Sequence, residues 1–440
     1  MEQAHREIMS VVRERAVLCA ALLPDSLADP HDPLSELRSL ADTAGAMVVD
    51  ELIQNRQKPD AATYLGSGKI EQLAEMVKFH KAHVVIFDND LSPSQLGNVE
   101  KVVECKVIDR SELILDIFAA RARTHEAKLQ VELAQLEYTY PRLRAMWSHL
   151  ERIVGGAPTG IGTRGPGEQQ LEIDRRIVQR KKAELKREIA DVQHRKTREV
   201  AQRNKDFFTV GLVGYTNAGK STLFNTVTDG GAYADDKLFA TLSTRTRKWE
   251  LGGGDTVMLS DTVGFVRDLP HHLVASFRAT LEEAVSSDLL LIVLDVSHPR
   301  ARQQLDTVMV VLYEIGATGQ HRLLVLNKLD ALEHNADLLV FEREFPDCVA
   351  ISARTGRGVD QLVERVRTML RTGERVLRLE LSAAAGKAIN FIETRSKVQD
   401  RAYHDSKVIL TTRIGERQLD QLRALGVPFE VLSEVGASTD

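Results

Sequence analysis

Hydrophobic and polar positions change their rhythm several times along the 440 residues. Between 16 and 110, short β-rich runs (RAVLCAALL, AMVVDELIQ, AHVVIFDN, CKVIDR) alternate with amphipathic stretches such as GKIEQLAEMVKFHKA. Apolar runs of strand length separated by helical periods predict a parallel sheet with crossover helices, a small α/β domain over 1–110. In 111–150 and 168–204 apolar residues fall three and four apart with almost no strand signal. That spacing predicts two long helices joined by a loop at 151–167, an antiparallel hairpin within 111–205. Pro141 has no amide hydrogen and is expected to end or kink the first helix near Tyr140. Strand–helix alternation returns over 206–372. A small C-terminal α+β domain is expected over 373–440, with a strand at KVILTTRI and a helix at ERQLDQLRALG.

Composition narrows the setting. The three cysteines, Cys19, Cys105 and Cys348, form no metal-ligand spacing and no disulfide framework, which fits a reducing, cytoplasmic compartment. No apolar run approaches the ~20 residues needed to cross a bilayer. AVLCAALLP (16–24) reads as a buried strand: Glu2, Glu7 and Glu14 precede it and no small-residue cleavage site follows. The net charge of −5 hides a segregation. Residues 110–205 hold 20 Lys and Arg against 13 Asp and Glu, so the remainder carries −12. A basic module on an acidic chain points to a localised anionic partner.

Candidate chemistry begins at FFTVGLVGYTNAGKSTLFN (207–225): an apolar strand, a glycine-bounded loop, then a helix. This is the context a phosphate-binding loop requires. Its residues are Gly214, Tyr215, Thr216, Asn217, Ala218, Gly219, Lys220, Ser221 and Thr222. Backbone N–H groups and the helix N-terminus face the phosphates, Lys220 reaches the β- and γ-phosphates, and Ser221 offers its hydroxyl to Mg²⁺. A second strand ends in Asp261-Thr262-Val263-Gly264, where Asp261 is placed to hold Mg²⁺ and Gly264 to offer its N–H to the γ-phosphate. A third ends in Asn327-Lys328-x-Asp330. The Asp330 carboxylate can accept both N1–H and N2–H of guanine, a donor pair adenine lacks, so GTP is expected over ATP. Ser352, Ala353 and Arg354 follow, with a backbone N–H around Ala353 for the guanine O6. Thr241, in KLFATLSTRTR (237–247), is the candidate switch threonine that ligates Mg²⁺. Lys220, Thr241 and Gly264 are thus the expected catalytic set. The predicted fold class is α/β: a P-loop GTPase domain after a small α/β domain and a helical hairpin.

Phe265 stands where many small GTPases place a glutamine that orients the attacking water. A phenyl ring neither donates nor accepts there, so intrinsic hydrolysis should be slow and partner-dependent.

The strings YLGSGKIEQL, VIDRSELILDIFAARARTHEAKLQVELAQLEYTYPRL, GIGTRGPGEQQLEIDRRI and DTVGFVRDLPHHLVASFRATLEEA together resemble the HflX family of ribosome-associated GTPases. The likeness runs to about residue 370, and more weakly beyond. It implies binding to the large ribosomal subunit, ribosome-stimulated GTP hydrolysis and splitting of stalled ribosomes under stress. It also implies that the tip at 155–167 reaches rRNA near the peptidyl-transferase centre, with Arg164 as a contact. A narrow glycine-bearing tip lets backbone approach bases closely. Arg175, Arg176, Arg180, Lys181 and Lys182 would follow the RNA backbone by charge. The family further implies ATP at the N-terminal domain, with Gly66-Ser67-Gly68-Lys69 as candidate; a tight turn or an rRNA-docking helix start reads equally well there. A monomer is expected. The competing reading is an RNA-binding or remodelling protein in which nucleotide is mainly structural.

Overall fold

The computed structural model describes residues 14–24, 26, 28–29, 31–154, 166–228, 239, 244–267, 284–332, 334–372 and 374–434. Elements are numbered among those residues.

Four strands, β1 (Arg15–Leu22), β2 (Met47–Asn55), β3 (Val84–Phe87) and β4 (Lys106–Asp109), pair in the order β2-β1-β3-β4, all parallel. Alternate residues of β1 feed opposite faces. Val17, Cys19 and Ala21 pack under α2 (Ser67–His80) and α3 (Pro93–Val103), while Ala16, Leu18 and Ala20 pack under α1 (Ser35–Ala44) and α4 (Arg110–Arg121). Burial on both faces is why these strands read as unbroken apolar runs.

The predicted first hairpin helix is in fact two. Residues 110–121 form α4, which buries Leu113, Ile114, Leu115, Ile117 and Phe118 against the N-terminal sheet. Ala122 is extended, and the Thr124 hydroxyl accepts the Ala127 N–H to start a new helix. The hairpin proper is α5 (His125–Val154) against α6 (Pro166–Asp206), with Leu129, Leu133, Leu185 and Ile189 in the seam.

Pro141 does not end α5, which runs thirteen residues past it. The reason is tertiary. Asp109, fully buried at the end of β4, accepts from the Tyr138 hydroxyl and from the Arg142 guanidinium, so both sides of the proline are pinned to one carboxylate. The same carboxylate takes the N–H groups of Leu91 and Glu112. Arg142→Ala is expected to leave that buried charge short of its counter-ion and to cost about 2–3 kcal/mol. Urea unfolding should show an earlier midpoint, and hydrogen exchange should rise first along 125–142.

The central sheet has the order β10-β9-β8-β5-β7-β6. Its strands are β5 (Phe208–Gly214), β6 (Arg245–Gly252), β7 (Asp255–Asp261), β8 (Leu289–Asp295), β9 (His321–Asn327) and β10 (Val349–Ala350). Only the β6–β7 pairing is antiparallel. Along β8, Leu289, Leu291 and Val293 face one core and Leu290, Ile292 and Leu294 the other. Helices α7 (Lys220–Val227), α8 (Ala301–Glu314), α9 (Asn335–Glu344) and α10 (Val359–Arg371) accompany it.

Beyond lies an antiparallel sheet in the order β12-β13-β11-β14, made of β11 (Arg375–Ser382), β12 (Lys397–His404), β13 (Lys407–Ile414) and β14 (Phe429–Glu434). Helices α11 (Gly386–Arg395) and α12 (Glu416–Ala424) share its core.

Candidate nucleotide site

The phosphate loop leaves β5 and enters α7. Its conformation demands glycine at both ends. A Cβ at Gly214 would lie 2.2 Å from the Val293 carbonyl oxygen, and one at Gly219 (φ +93°) 2.2 Å from Asn327 Nδ2. Lys220 is buried, and its Nζ donates to the carbonyls of Gly214 and Tyr215 at 3.0 and 2.8 Å. Burial pushes the ammonium down to about 8, against an upward pull from Asp261. A buried cation that meets, among the described residues, two neutral carbonyls with one carboxylate nearby is a site prepared for an anion.

Ser221 Oγ donates to Asp261 Oδ2 at 2.8 Å, so two of the three oxygen ligands expected for magnesium sit side by side next to Lys220. That donor set suits Mg²⁺, which takes few protein oxygens and completes its shell with water and phosphate. The Thr262 hydroxyl donates to the Leu212 carbonyl and ties β7 to β5. Val263 packs into the N-terminal core. The Thr222 side chain has no hydrogen-bond partner among the described residues. Asn217 takes the left-handed conformation, φ +61°. Thr241 lies outside the described residues, as do residues 155–165 of the expected tip at 155–167, with Arg164; Arg175 lies in α6, but its side chain is also outside them.

At the base pocket, buried Asn327 donates from Nδ2 to the Ala218 carbonyl and accepts the Ala353 N–H on Oδ1. Of the backbone N–H groups around Ala353 expected for the guanine O6, that of Ala353 itself is spent inside the protein. Asp330 is exposed, and the Ser352 hydroxyl donates to its Oδ1 at 2.6 Å. That bond, more than nearby Arg354 and Lys328, holds the carboxyl below its ordinary range and keeps it an acceptor. Lys328 pairs with Asp295 at 2.7 Å. Asp295 was not among the predicted residues, although an acid closing the apolar run LLLIVLD was visible.

Three family models match in succession: "GTP-binding GTPase N-terminal" over 31–119, "GTP-binding GTPase Middle Region" over 121–203 and "50S ribosome-binding GTPase" over 209–328. The GTPase HflX of Lacrimispora saccharolytica is 42% identical over 406 residues, 92% of this chain and 94% of that protein. The chain belongs to the HflX family of GTPases. The Escherichia coli GTPase HflX is 46% identical over 335 residues, 76% of this chain and 78% of its own. A GTP-binding protein of Sulfolobus solfataricus, solved with GDP, aligns over 82% of this chain and 99% of its own at 23% identity and a TM-score of 0.44. The reaction of this HflX-family chain is hydrolysis of GTP to GDP and phosphate.

Two features of the site could not be read from motifs. Phe265 is only 2% exposed, and its ring packs in the core with Val213, Tyr215, Leu290 and Ile292. Its backbone forms a parallel bridge to Tyr215: Phe265 N–H donates to the Gly214 carbonyl at 3.1 Å, and Thr216 N–H to the Phe265 carbonyl at 2.7 Å. The second feature lies behind it. The Tyr215 side chain turns away from the phosphate side and donates to Glu36 of α1 at 2.8 Å, while Arg267 N–H donates to the Tyr215 hydroxyl at 2.7 Å. Arg110 and Arg267 then share Glu36 and Asp88 in one buried cluster. Burial works to raise the Glu36 carboxyl, but Arg110 and Arg267, with the Tyr215 hydroxyl, outweigh it and hold it low.

At the second glycine–lysine segment the geometry is a plain helix start. Gly66 N–H donates to Gln54 Oε1, and Lys69 Nζ to Gln72 on the exposed side.

Proposed function

We propose that this HflX-family GTPase binds the large ribosomal subunit through its helical hairpin, and that the ribosome stimulates its hydrolysis of GTP to split or rescue stalled ribosomes. The observation that carries this reading is the joining of a guanine-nucleotide site to a long basic hairpin. The base of that hairpin packs in the same core as Val263 and Val266, on either side of Gly264. A GTPase that acts on a distant partner needs such a mechanical link.

Ser221 and Asp261, with Thr241, would hold Mg²⁺, whose charge offsets that of the phosphates. Lys220 would neutralise the β- and γ-phosphates, and the Gly264 N–H would meet the γ-phosphate. Asp330 would read guanine N1 and N2. With the Ala353 N–H committed to Asn327, the adjoining Arg354 N–H is the better donor for O6. The buried ring of Phe265 supports slow intrinsic hydrolysis: the water must be oriented by a group from outside this loop. One nucleotide site is proposed, because the arrangement at 66–69 gives ATP no support.

The hairpin cations are unequal. Lys181 pairs with Glu132 at 3.5 Å, and Lys182 and Lys186 with Glu137 at 3.4 and 2.9 Å, so much of their charge is met within the hairpin. Arg180 is exposed and has no such partner among the described residues. Of Arg180, Lys181 and Lys182, Arg180 is the better candidate for rRNA; Arg164, Arg175 and Arg176 stay candidates on the charge pattern of the sequence.

The test is cosedimentation of the full chain with large subunits, comparing a non-hydrolysable GTP analogue with GDP, alongside single-turnover hydrolysis with and without subunits. Retention with the analogue and faster hydrolysis on the subunit are expected. Shortening 155–165 should abolish the stimulation while free GTP affinity stays within about twofold, a change of about 0.4 kcal/mol. Equal pelleting with both nucleotides, or no stimulation, would favour an RNA-binding protein with a structural nucleotide.

A further inference from the structure

The segment 264–267 is held against the phosphate loop from two sides. On the loop side, the Tyr215–Phe265 bridge spends the Thr216 N–H on the Phe265 carbonyl. It brings Gly264 so close that a Cβ there would lie 2.9 Å from Thr216 Cα and 3.0 Å from Lys220 Nζ. A phosphoryl group between an ammonium and an amide needs an N–H···O contact of about 2.9 Å on each side, plus its own width. A heavy atom added at Gly264 would already meet Lys220 Nζ at contact distance, so the two groups close on the place a terminal phosphate would take.

On the other side stands the N-terminal module. Arg267 N–H is bound to Tyr215 Oη, its guanidinium to Asp88 at 2.7 Å, and its carbonyl to Arg110 at 3.2 Å. Glu36 meets Tyr215 at 2.8 Å and Arg110 at 2.8 Å. Val263 and Val266 complete the core formed by α1, α4 and β1. Phe239, from the other switch segment, joins that core edge-on to Phe118 at 4.6 Å, and its carbonyl accepts from Arg121 at 3.0 Å. The adjacent residue Asp109 roots the hairpin through Tyr138 and Arg142. The dipeptide Asp109-Arg110 therefore faces the hairpin with one residue and Arg267 with the next.

We infer that Glu36, with Tyr215 and Asp88, is a positioning residue that latches segment 264–267 over the phosphate loop, so that GDP fits the latched form and the terminal phosphate of GTP must open it. Opening breaks the Tyr215–Phe265 bridge and draws Arg267 from the Glu36–Asp88–Arg110 cluster. The strain is delivered one residue from the hairpin root. The latch sets the preference between two nucleotides by the cost of opening, and it touches neither base nor ribose. It rests on the GTP chemistry of the site and not on the ribosomal reading, so each can fail alone.

The experiment uses the full chain without ribosomes. Binding of a fluorescent non-hydrolysable GTP analogue and of fluorescent GDP is measured for wild type, Glu36→Gln and Asp88→Asn. The wild type should prefer GDP. Each variant should raise the analogue-to-GDP affinity ratio by about fivefold or more, the lower end of usual coupling energies, with GDP affinity held. Arg142→Ala, which loosens the neighbouring Asp109 network without touching the latch, should leave the ratio alone. Should neither latch variant fold, hydrogen exchange on the wild type decides. Replacing GDP by the analogue should speed exchange over 106–121. An unchanged ratio in the variants, an equal shift in Arg142→Ala, or identical exchange with the two nucleotides would overturn the latch.

Discussion

Lys220→Ala is expected to lose GTP affinity by about a thousandfold, about 4 kcal/mol, with GDP weakened somewhat less. The side chain is buried and, among the described residues, its ammonium is held by the Gly214 and Tyr215 carbonyls, with Asp261 nearby. Burial already disfavours the charge, so the free protein stores an unfavourable cation that phosphate relieves. Alanine removes both the cost and the relief, and the phosphates then face the loop with dipoles alone. The fold should survive, because losing a poorly compensated buried charge costs little when no carboxylate depends on it. Asp261 still has Ser221 at 2.8 Å. Isothermal titration of the variant with GTP and GDP checks this, with circular dichroism as the control on folding. Near-normal GTP affinity would remove Lys220 from the site.

Asp330→Asn is expected to weaken GTP by at least about a hundredfold and to favour xanthosine triphosphate. The carboxylate accepts two ring donors of guanine, whereas an amide presents one donor and one acceptor and suits xanthine N1–H and O2. The geometry for the exchange is in place: Ser352 donates to Oδ1 at 2.6 Å, and Asn keeps an acceptor oxygen for it. The orientation of residue 330 should therefore persist while its pattern inverts. Competition of both triphosphates for the same site reads the result, and a retained preference for GTP would show that another group reads the base. Because Asp330 is exposed and bonded locally, stability should hardly change, which separates this variant from those in the buried clusters.

Much of the nucleotide site could be read from the chain because its parts are local. A phosphate loop is built from consecutive residues at one strand–helix junction, and Asp261 and Asn327 each close a strand. The same holds for the parallel sheets, whose strands are unbroken apolar runs buried on both faces. That the helix runs on past Pro141 and that the chain breaks at Ala122–Thr124 could not be read from the sequence, for the opposite reason. What carries the helix through the proline is a carboxylate 29 to 33 positions earlier, and what assigns 110–121 to the N-terminal module is the sheet beneath it.

Residue order and type alone were enough for the identity of the nucleotide chemistry, the alternation of strands and helices, and the concentration of positive charge in the hairpin. Each depends on neighbours within a few turns of chain. The coupling depended on folding: Glu36 meets Tyr215 across 179 positions, and Arg110 meets the Arg267 carbonyl across 157. A buried arginine looks like any surface arginine until burial removes its water and leaves a few distant partners to hold it.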